Sequence, residues 1–262
     1  MIRNYRAHAF FLICFTLICL RLNAQEIPVI QFVNPMVGTS NTQTPSLWGS
    51  EGGTYPGAVA PFGFVQLTPE TRIGDSKGYN YYDKSIYFFS CINHPSGYPD
   101  GSSGKIHVMP VIAGNNMPSG KDSRPFSHKN EEASPGYYRV LLSDNGTMVE
   151  VTAAERTGMF RFTFPPEIKP RIFLGDLGKI DSISSRVVSS VNCHSIISFD
   201  ADILGKEEVK GGSVLTFANR DSVNNSLILK IGVSPVDFES TSITFILKLI
   251  PGTLISINGK IS

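Results

Sequence analysis

Apolar and polar residues alternate with a period of two along much of the chain, the spacing of strands that bury one face. Phe160, Phe162 and Phe164 are separated by Arg161 and Thr163, and Val149 and Val151 alternate with Met148, Glu150 and Thr152. Between Tyr137–Leu142 and Thr147–Ala153 lies Ser143-Asp144-Asn145-Gly146. Asn-Gly tolerates positive φ, so this stretch predicts a hairpin. Further strands are predicted over Phe62–Leu67, Ile86–Cys91, Ile106–Ile112, Arg171–Leu174, Ser195–Phe199, Ser213–Phe217, Leu227–Val233 and Ser242–Leu249. No window after the N-terminal segment combines a helical period with caps. Short strands between turn clusters, with 24 glycines and 17 prolines, predict an all-β fold, an antiparallel β-sandwich. No internal repeat or low-complexity linker interrupts it, so one domain over residues 25–240 is the simplest division.

The N-terminus departs from this pattern. Arg3, Arg6 and His8 precede Ala9–Leu20, AFFLICFTLICL, and Leu22-Asn23-Ala24 follows. A basic flank, about a dozen apolar residues and a small residue before Gln25 have the form of a secretory signal peptide over residues 1–24. The apolar run is shorter than the roughly 20 residues a spanning helix needs. The expected protein is therefore exported, periplasmic or extracellular, with no membrane segment after the signal is removed. Removal takes Cys14 and Cys19, leaving Cys91 and Cys193. The exported compartment permits a disulfide between them, and the expectation here is two separate buried thiols.

Composition then excludes partners. A net charge of +1, with 17% charged residues, gives no basic surface for nucleic acid. Hydrophobic residues make up 41%, as in globular proteins rather than disordered ones.

Candidate chemistry is concentrated in two loop-rich segments, Val33–Thr71 and Tyr87–Gly114, where polar loops sit between short apolar runs. The first holds Trp48, the one tryptophan, beside Gly49-Ser50-Glu51-Gly52-Gly53. Two readings stand: a flat platform for a pyranose C–H face, or a ring folded back onto the sandwich. The second holds Asn93-His94-Pro95-Ser96-Gly97 after a predicted strand. Pro95 keeps His94 extended. The imidazole could bond a substrate hydroxyl or carboxylate, or a nearby carbonyl. His94, His107, His128 and His194 show no short ligand spacing, and neither CxxC, HExxH nor GxSxG occurs. Asp100, Gly101 and Gly104 do not form an EF-hand series. Glycoside hydrolysis needs two carboxyl groups, ~6.5–9.5 Å apart in an inverting enzyme. Glu131-Glu132 reads as a solvated turn, and Glu51, Asp75, Asp83, Asp100, Glu150, Glu155 and Asp176 stand singly.

The succession VNPMVGT, GGTYPGAVAPFGFVQLTPET, GYNYYD, YFFSCINHPSG and IHVMPVIAG resembles the N-terminal domain of glycoside hydrolase family 92. The likeness is strong over Phe32–Gly114 and looser from there through RIFLGDLGK to KIGVSPV. The family consists of exo-acting α-mannosidases, largely bacterial and exported, many acting on N-glycan mannose. The resemblance implies an N-terminal β-sandwich followed by a C-terminal (α/α)6 barrel, with the active site between them. It also implies a calcium ion there and inversion by carboxylates of the barrel. No barrel, and hence neither calcium ligands nor catalytic carboxylates, is expected in this chain. By motif position the Gly52–Pro56 loop, with Gly52, Gly53 and Tyr55, and the loop with His94, Ser96 and Gly97 would face the cleft, together with Trp48.

The chain departs from the family at Asp100-Gly101-Ser102-Ser103-Gly104, where many members have an Asp-Tyr-Gly segment. It departs again at Ile73–Lys77, where many have tryptophan. Residues 241–262, including SITFILKLIPGTLISINGKIS, read either as a final hairpin with a turn at Pro251-Gly252 or as a truncated or frameshifted tail. The expected function is recognition of mannose-containing glycans as one part of an α-mannosidase, inactive without the catalytic barrel. The alternatives are a free-standing carbohydrate-binding sandwich and an unpartnered remnant with an exposed apolar face.

Overall fold

The computed structural model describes residue 8 and residues 28–40, 54–72, 78–91, 106–111, 122–190, 194–219, 225–234 and 236–237, except the side chain at 183. The chain divides into two compact units, Met1–Val33 and Asn34–Ser262. The described part of the first is mainly a 3-10 turn, Val29–Phe32, in which the Gln31 N–H donates to the Pro28 carbonyl at 2.9 Å.

The second unit holds sixteen described strands, numbered along the chain, and every pairing between them is antiparallel. One sheet has seven strands, in spatial order β1 (Ala58–Val59), β2 (Gln66–Glu70), β4 (Phe88–Ser90), β5 (His107–Pro110), β10 (Arg171–Gly175), β15 (Gly212–Phe217) and β14 (Ile203–Val209). The other has nine: β11 (Ile180–Ser184), β12 (Val187–Ser190), β13 (Ser195–Phe199), β16 (Ser226–Gly232), β9 (Thr157–Thr163), β8 (Met148–Ala153), β7 (Tyr137–Leu142), β6 (Arg124–Ser134) and β3 (Ser85–Ile86). The all-β sandwich expected from the periodicity is the observed fold. Between residues 28 and 237 the described residues contain no α-helix.

The alternation works as the pattern requires. Phe160, Phe162, Val149 and Val151 are all at most 1% exposed, while Glu150 and Arg161, between them, pair on the opposite face. Burial of each such side chain contributes about 1.5–3 kcal/mol. Phe89 meets Phe160 edge-on at 6.5 Å, and Phe199 meets Phe217 at 4.8 Å, joining the two sheets. The hairpin also forms: Gly146 has φ 67°, and the Asn145 side chain accepts the Thr147 N–H at 2.8 Å.

Three expectations are corrected. Phe62–Leu67 is not one strand, because Ala60–Gly63 turns, with Gly63 N–H bonded to the Ala60 carbonyl, and β2 starts at Gln66. Ile86–Cys91 splits at Tyr87: Ile86 pairs with Arg124 in the larger sheet, and Phe89 pairs with Val108 in the smaller. Glu131-Glu132 lies in β6, an eleven-residue strand, and not in a solvated turn. β6 reads RPFSHKNEEAS, too polar to show a core face in sequence. Ser242–Leu249 and the tail over 241–262 lie outside the described residues. Cys91 is 0% exposed in the core, and Cys193 also lies outside the described residues.

Candidate functional site

Of the residues singled out for substrate contact, Trp48, Gly52, Gly53, His94, Ser96 and Gly97 lie outside the described residues. Tyr55 is described, as are the stems that carry the others. The stem of segment 41–53 is closed by Thr54, whose hydroxyl donates to the Val37 carbonyl at 2.8 Å and whose N–H donates to Gly38 at 3.3 Å. Gly38 has φ 80°, a conformation glycine adopts without strain. Tyr55 is half-buried, packed on the core beside that stem. Burial pushes its hydroxyl up to about 12, so it remains a protonated donor at neutral pH.

The same stem is tied to loop 78–84. Tyr81 N–H donates to the Thr39 carbonyl at 2.9 Å. Behind it Thr71 is a hub, its hydroxyl donating to Asp83 at 2.8 Å and accepting the Asn80 N–H at 2.8 Å, with Arg72 Nε on Asp83 at 2.9 Å. The stem of segment 92–105 is closed elsewhere: Cys91 N–H donates to Ile106, and Gln66 N–H donates to Cys91. Residues 54–57 run beside the Glu70 end of β2, while Cys91 sits at its Gln66 end. The two stems thus leave β2 at opposite ends. Next to the second stem, His107 places Nδ1 3.1 Å from Asp176 and Nε2 3.9 Å from the buried Glu70, with its ring stacked on Phe88 at 4.4 Å.

A polar cluster that sequence reasoning missed stands beside loop 78–84. Glu131 has a side chain only 1% exposed. Tyr138 OH donates to its Oε1 at 2.7 Å, Tyr79 OH at 2.9 Å, and His128 Nδ1 sits 2.5 Å from its Oε2. Residues three apart in a regular strand face opposite sides. Here the β6–β7 register shifts between Phe126 and Glu131, and that irregularity lets His128 and Glu131 meet. Burial first, and Glu131 second, push both tyrosine hydroxyls far above their usual range, so both stay protonated and donate. The available signal was His128-x-x-Glu131 following Tyr79 in GYNYYD, but strand parity argues against that pairing.

A second arrangement lies on the solvent face of the nine-stranded sheet. Arg161 grips Glu150 through Nε and Nη2 at 2.6 and 2.5 Å, and Tyr137 OH donates to Glu150 at 2.7 Å. The Arg161 hydrogen bonds are the largest cause holding the Glu150 carboxyl below its usual range. Met159 and Ile228 line a groove of about 130 Å³ beside this network.

Each cluster holds a single carboxyl group, whereas glycoside hydrolysis uses two. The Glu131 oxygens are taken by three donors, and Glu150 by Arg161 and Tyr137. Among the described residues no group of three or more His, Cys, Asp or Glu side chains could hold a metal ion. The calcium implied by the family resemblance therefore has no cluster of three such side chains among them.

Comparison with known proteins gives the context. The model of the glycosyl hydrolase family 92 N-terminal domain matches residues 32–223. An "uncharacterized secreted glycosidase" of Arthroderma benhamiae is 26% identical over 153 residues, which cover 55% of this chain and 19% of that protein. The family GH92 inverting mannosidase BT2199 from Bacteroides thetaiotaomicron superposes with a TM-score of 0.72 at 20% identity, covering 87% of this chain and 34% of that one. The α-mannosidase BT3965 from the same organism gives 0.68 at 23% identity, covering 87% and 36%. The chain thus spans about a third of the length of these solved relatives. The match over 32–223, on a sandwich of the same fold, places this chain in glycosyl hydrolase family 92, through its N-terminal domain.

Proposed function

We propose that the chain is the carbohydrate-recognising β-sandwich of an exported α-mannosidase acting on N-glycan-type mannosides, with residues 1–24 as signal, 25–240 as sandwich and 241–262 as an atypical tail. The observation that carries this reading is the family match over residues 32–223 on a two-sheet sandwich that superposes on two mannosidases. The relative described as a secreted glycosidase supports export, in line with the Arg3–Ala24 leader pattern. In this reading Trp48, Gly52, Gly53, Tyr55, His94, Ser96 and Gly97 contact sugar, from loops whose stems are pinned by backbone hydrogen bonds. The acid, the base and the calcium ion belong to a catalytic barrel that completes the enzyme. The commitment of Glu131 and Glu150 to donors within the sandwich supports that division of labour.

The test is calorimetry and an activity assay on the 262-residue chain. Methyl α-mannoside or α-mannobiose should bind saturably, and Trp48→Ala should weaken binding by about 1–3 kcal/mol. No mannose should be released from α-mannobiose, with or without calcium. Absence of any binding heat removes the recognition role. Calcium-dependent release of mannose by this chain alone removes the division of labour.

A further inference from the structure

The cluster around Glu131 holds more than a tie between a loop and a strand requires. Tyr79 and Tyr138 already supply hydroxyl donors to the buried carboxylate and join loop 78–84 and β7 to β6. His128 adds a third partner, and its side chain is 30% exposed. With Nδ1 on a carboxylate, the neutral ring carries its proton there, and Nε2 offers a lone pair. Nε2 bonds no other group among the described residues, on a side chain that is partly open to solvent.

The ring is also held in a fixed plane. Tyr81 stacks on one face at 4.1 Å with 11° between planes, and Phe126 approaches edge-on at 5.2 Å. Tyr82 meets Tyr81 edge-on at 6.2 Å, and its residue is 64% exposed. Backbone bonds position both tyrosines: Tyr81 N–H on Thr39, and Tyr82 N–H on the Asn80 side chain at 3.0 Å. The result is a rigid surface with an apolar ring face, phenolic hydroxyls and one oriented acceptor. A pyranoside presents the complementary chemistry, with a C–H face and a rim of hydroxyl donors. Thr39 also lies two residues before segment 41–53, so this surface adjoins the stem of the segment that holds Trp48.

We propose that His128, Tyr81 and Tyr82 form a further contact surface for a neutral glycoside. A sugar hydroxyl donates to His128 Nε2, and a sugar C–H face packs on the Tyr82 ring. Glu131 is a positioning residue: it fixes the proton of His128 without touching the ligand. This surface rests on the carbohydrate reading above and extends it to residues that motif position does not point to.

The experiment titrates the 262-residue chain, labelled with ¹⁵N in histidine, with methyl α-mannoside and with α-mannobiose. The His128 Nε2 resonance should shift along a saturable curve. Tyr82→Ala removes an exposed ring and should leave the melting temperature unchanged while weakening binding about two- to tenfold. His128→Phe retains the stacking, loses the acceptor and should weaken binding to a similar extent. If the wild type binds, Trp48→Ala weakens it, and both Tyr82→Ala and His128→Phe bind normally with a static His128 signal, this surface is overturned and the carbohydrate reading stands. If the wild type binds neither sugar, both fall together.

Discussion

Phe62 is held in the left-handed region, with φ 58°, and its side chain is fully exposed. A β-carbon in that region costs roughly 1–2 kcal/mol, and this ring recovers nothing by burial. Phe62→Gly is therefore expected to raise stability by about 1 kcal/mol in urea unfolding, an outcome opposite to that of most aromatic deletions. Glu131 is the reverse case, a buried carboxylate that accepts from Tyr79, Tyr138 and His128. Glu131→Gln sets an amide nitrogen against donors and should cost about 1–3 kcal/mol on the same measurement. At this scale little was legible in sequence. A Phe in VAPFGFV and a Glu in KNEEAS carry no mark of their backbone angle or burial.

At the scale of elements, the close approach of β1 and β2 and of the two sheets depends on missing β-carbons. A Cβ on Gly57 would lie 2.0 Å from the Leu67 carbonyl oxygen. That neighbour is backbone and cannot rotate away, so Gly57→Ala should separate β1 from β2 and cost about 3 kcal/mol. A Cβ on Gly158 would instead meet the Leu67 side chain at 2.9 Å. The side chain can shift, and Gly158→Ala should cost about 1 kcal/mol. Comparing the two variants by chemical unfolding separates backbone crowding from side-chain crowding; equal losses would refute the distinction. Elements with predicted limits were legible: β7, β8, β13 and β16 fall close to them, and the Phe160–Phe162 alternation lies in β9. β6 was not, because its irregular register brings a histidine and a glutamate together where strand parity sets them apart.

For the whole molecule, pH acts through tyrosines. Burial is the first cause raising Tyr55 and Tyr137 from 10.0 to about 12, and it pushes Tyr79 and Tyr138 up as well. Between pH 10 and 12 the unfolded chain releases phenolic protons that the folded chain keeps, so the unfolded state binds fewer protons. Stability should be fully present below pH 10 and fall as pH rises toward 12. Phenolate absorbance should show these tyrosines ionising late, and urea midpoints should decline over the same window. Midpoints independent of pH above 10 would show that these hydroxyls are not shielded in solution.

The order of apolar and polar residues was enough to determine an all-β chain, its best hairpin and the phenylalanines of its core. Those follow from local periodicity and from turn residues that tolerate positive φ. The motif run from VNPMVGT to IHVMPVIAG was enough to indicate the family. The tertiary structure alone decided that Ile86 and Phe89 join different sheets, that the stems of the Trp48 and His94 segments leave β2 at opposite ends, and that His128, Glu131, Tyr79 and Tyr138 converge. Each is a contact between residues set by register and crossover. A side chain's partner across a sheet depends on which strands pair and where a bulge falls, and no local pattern of hydrophobicity records either.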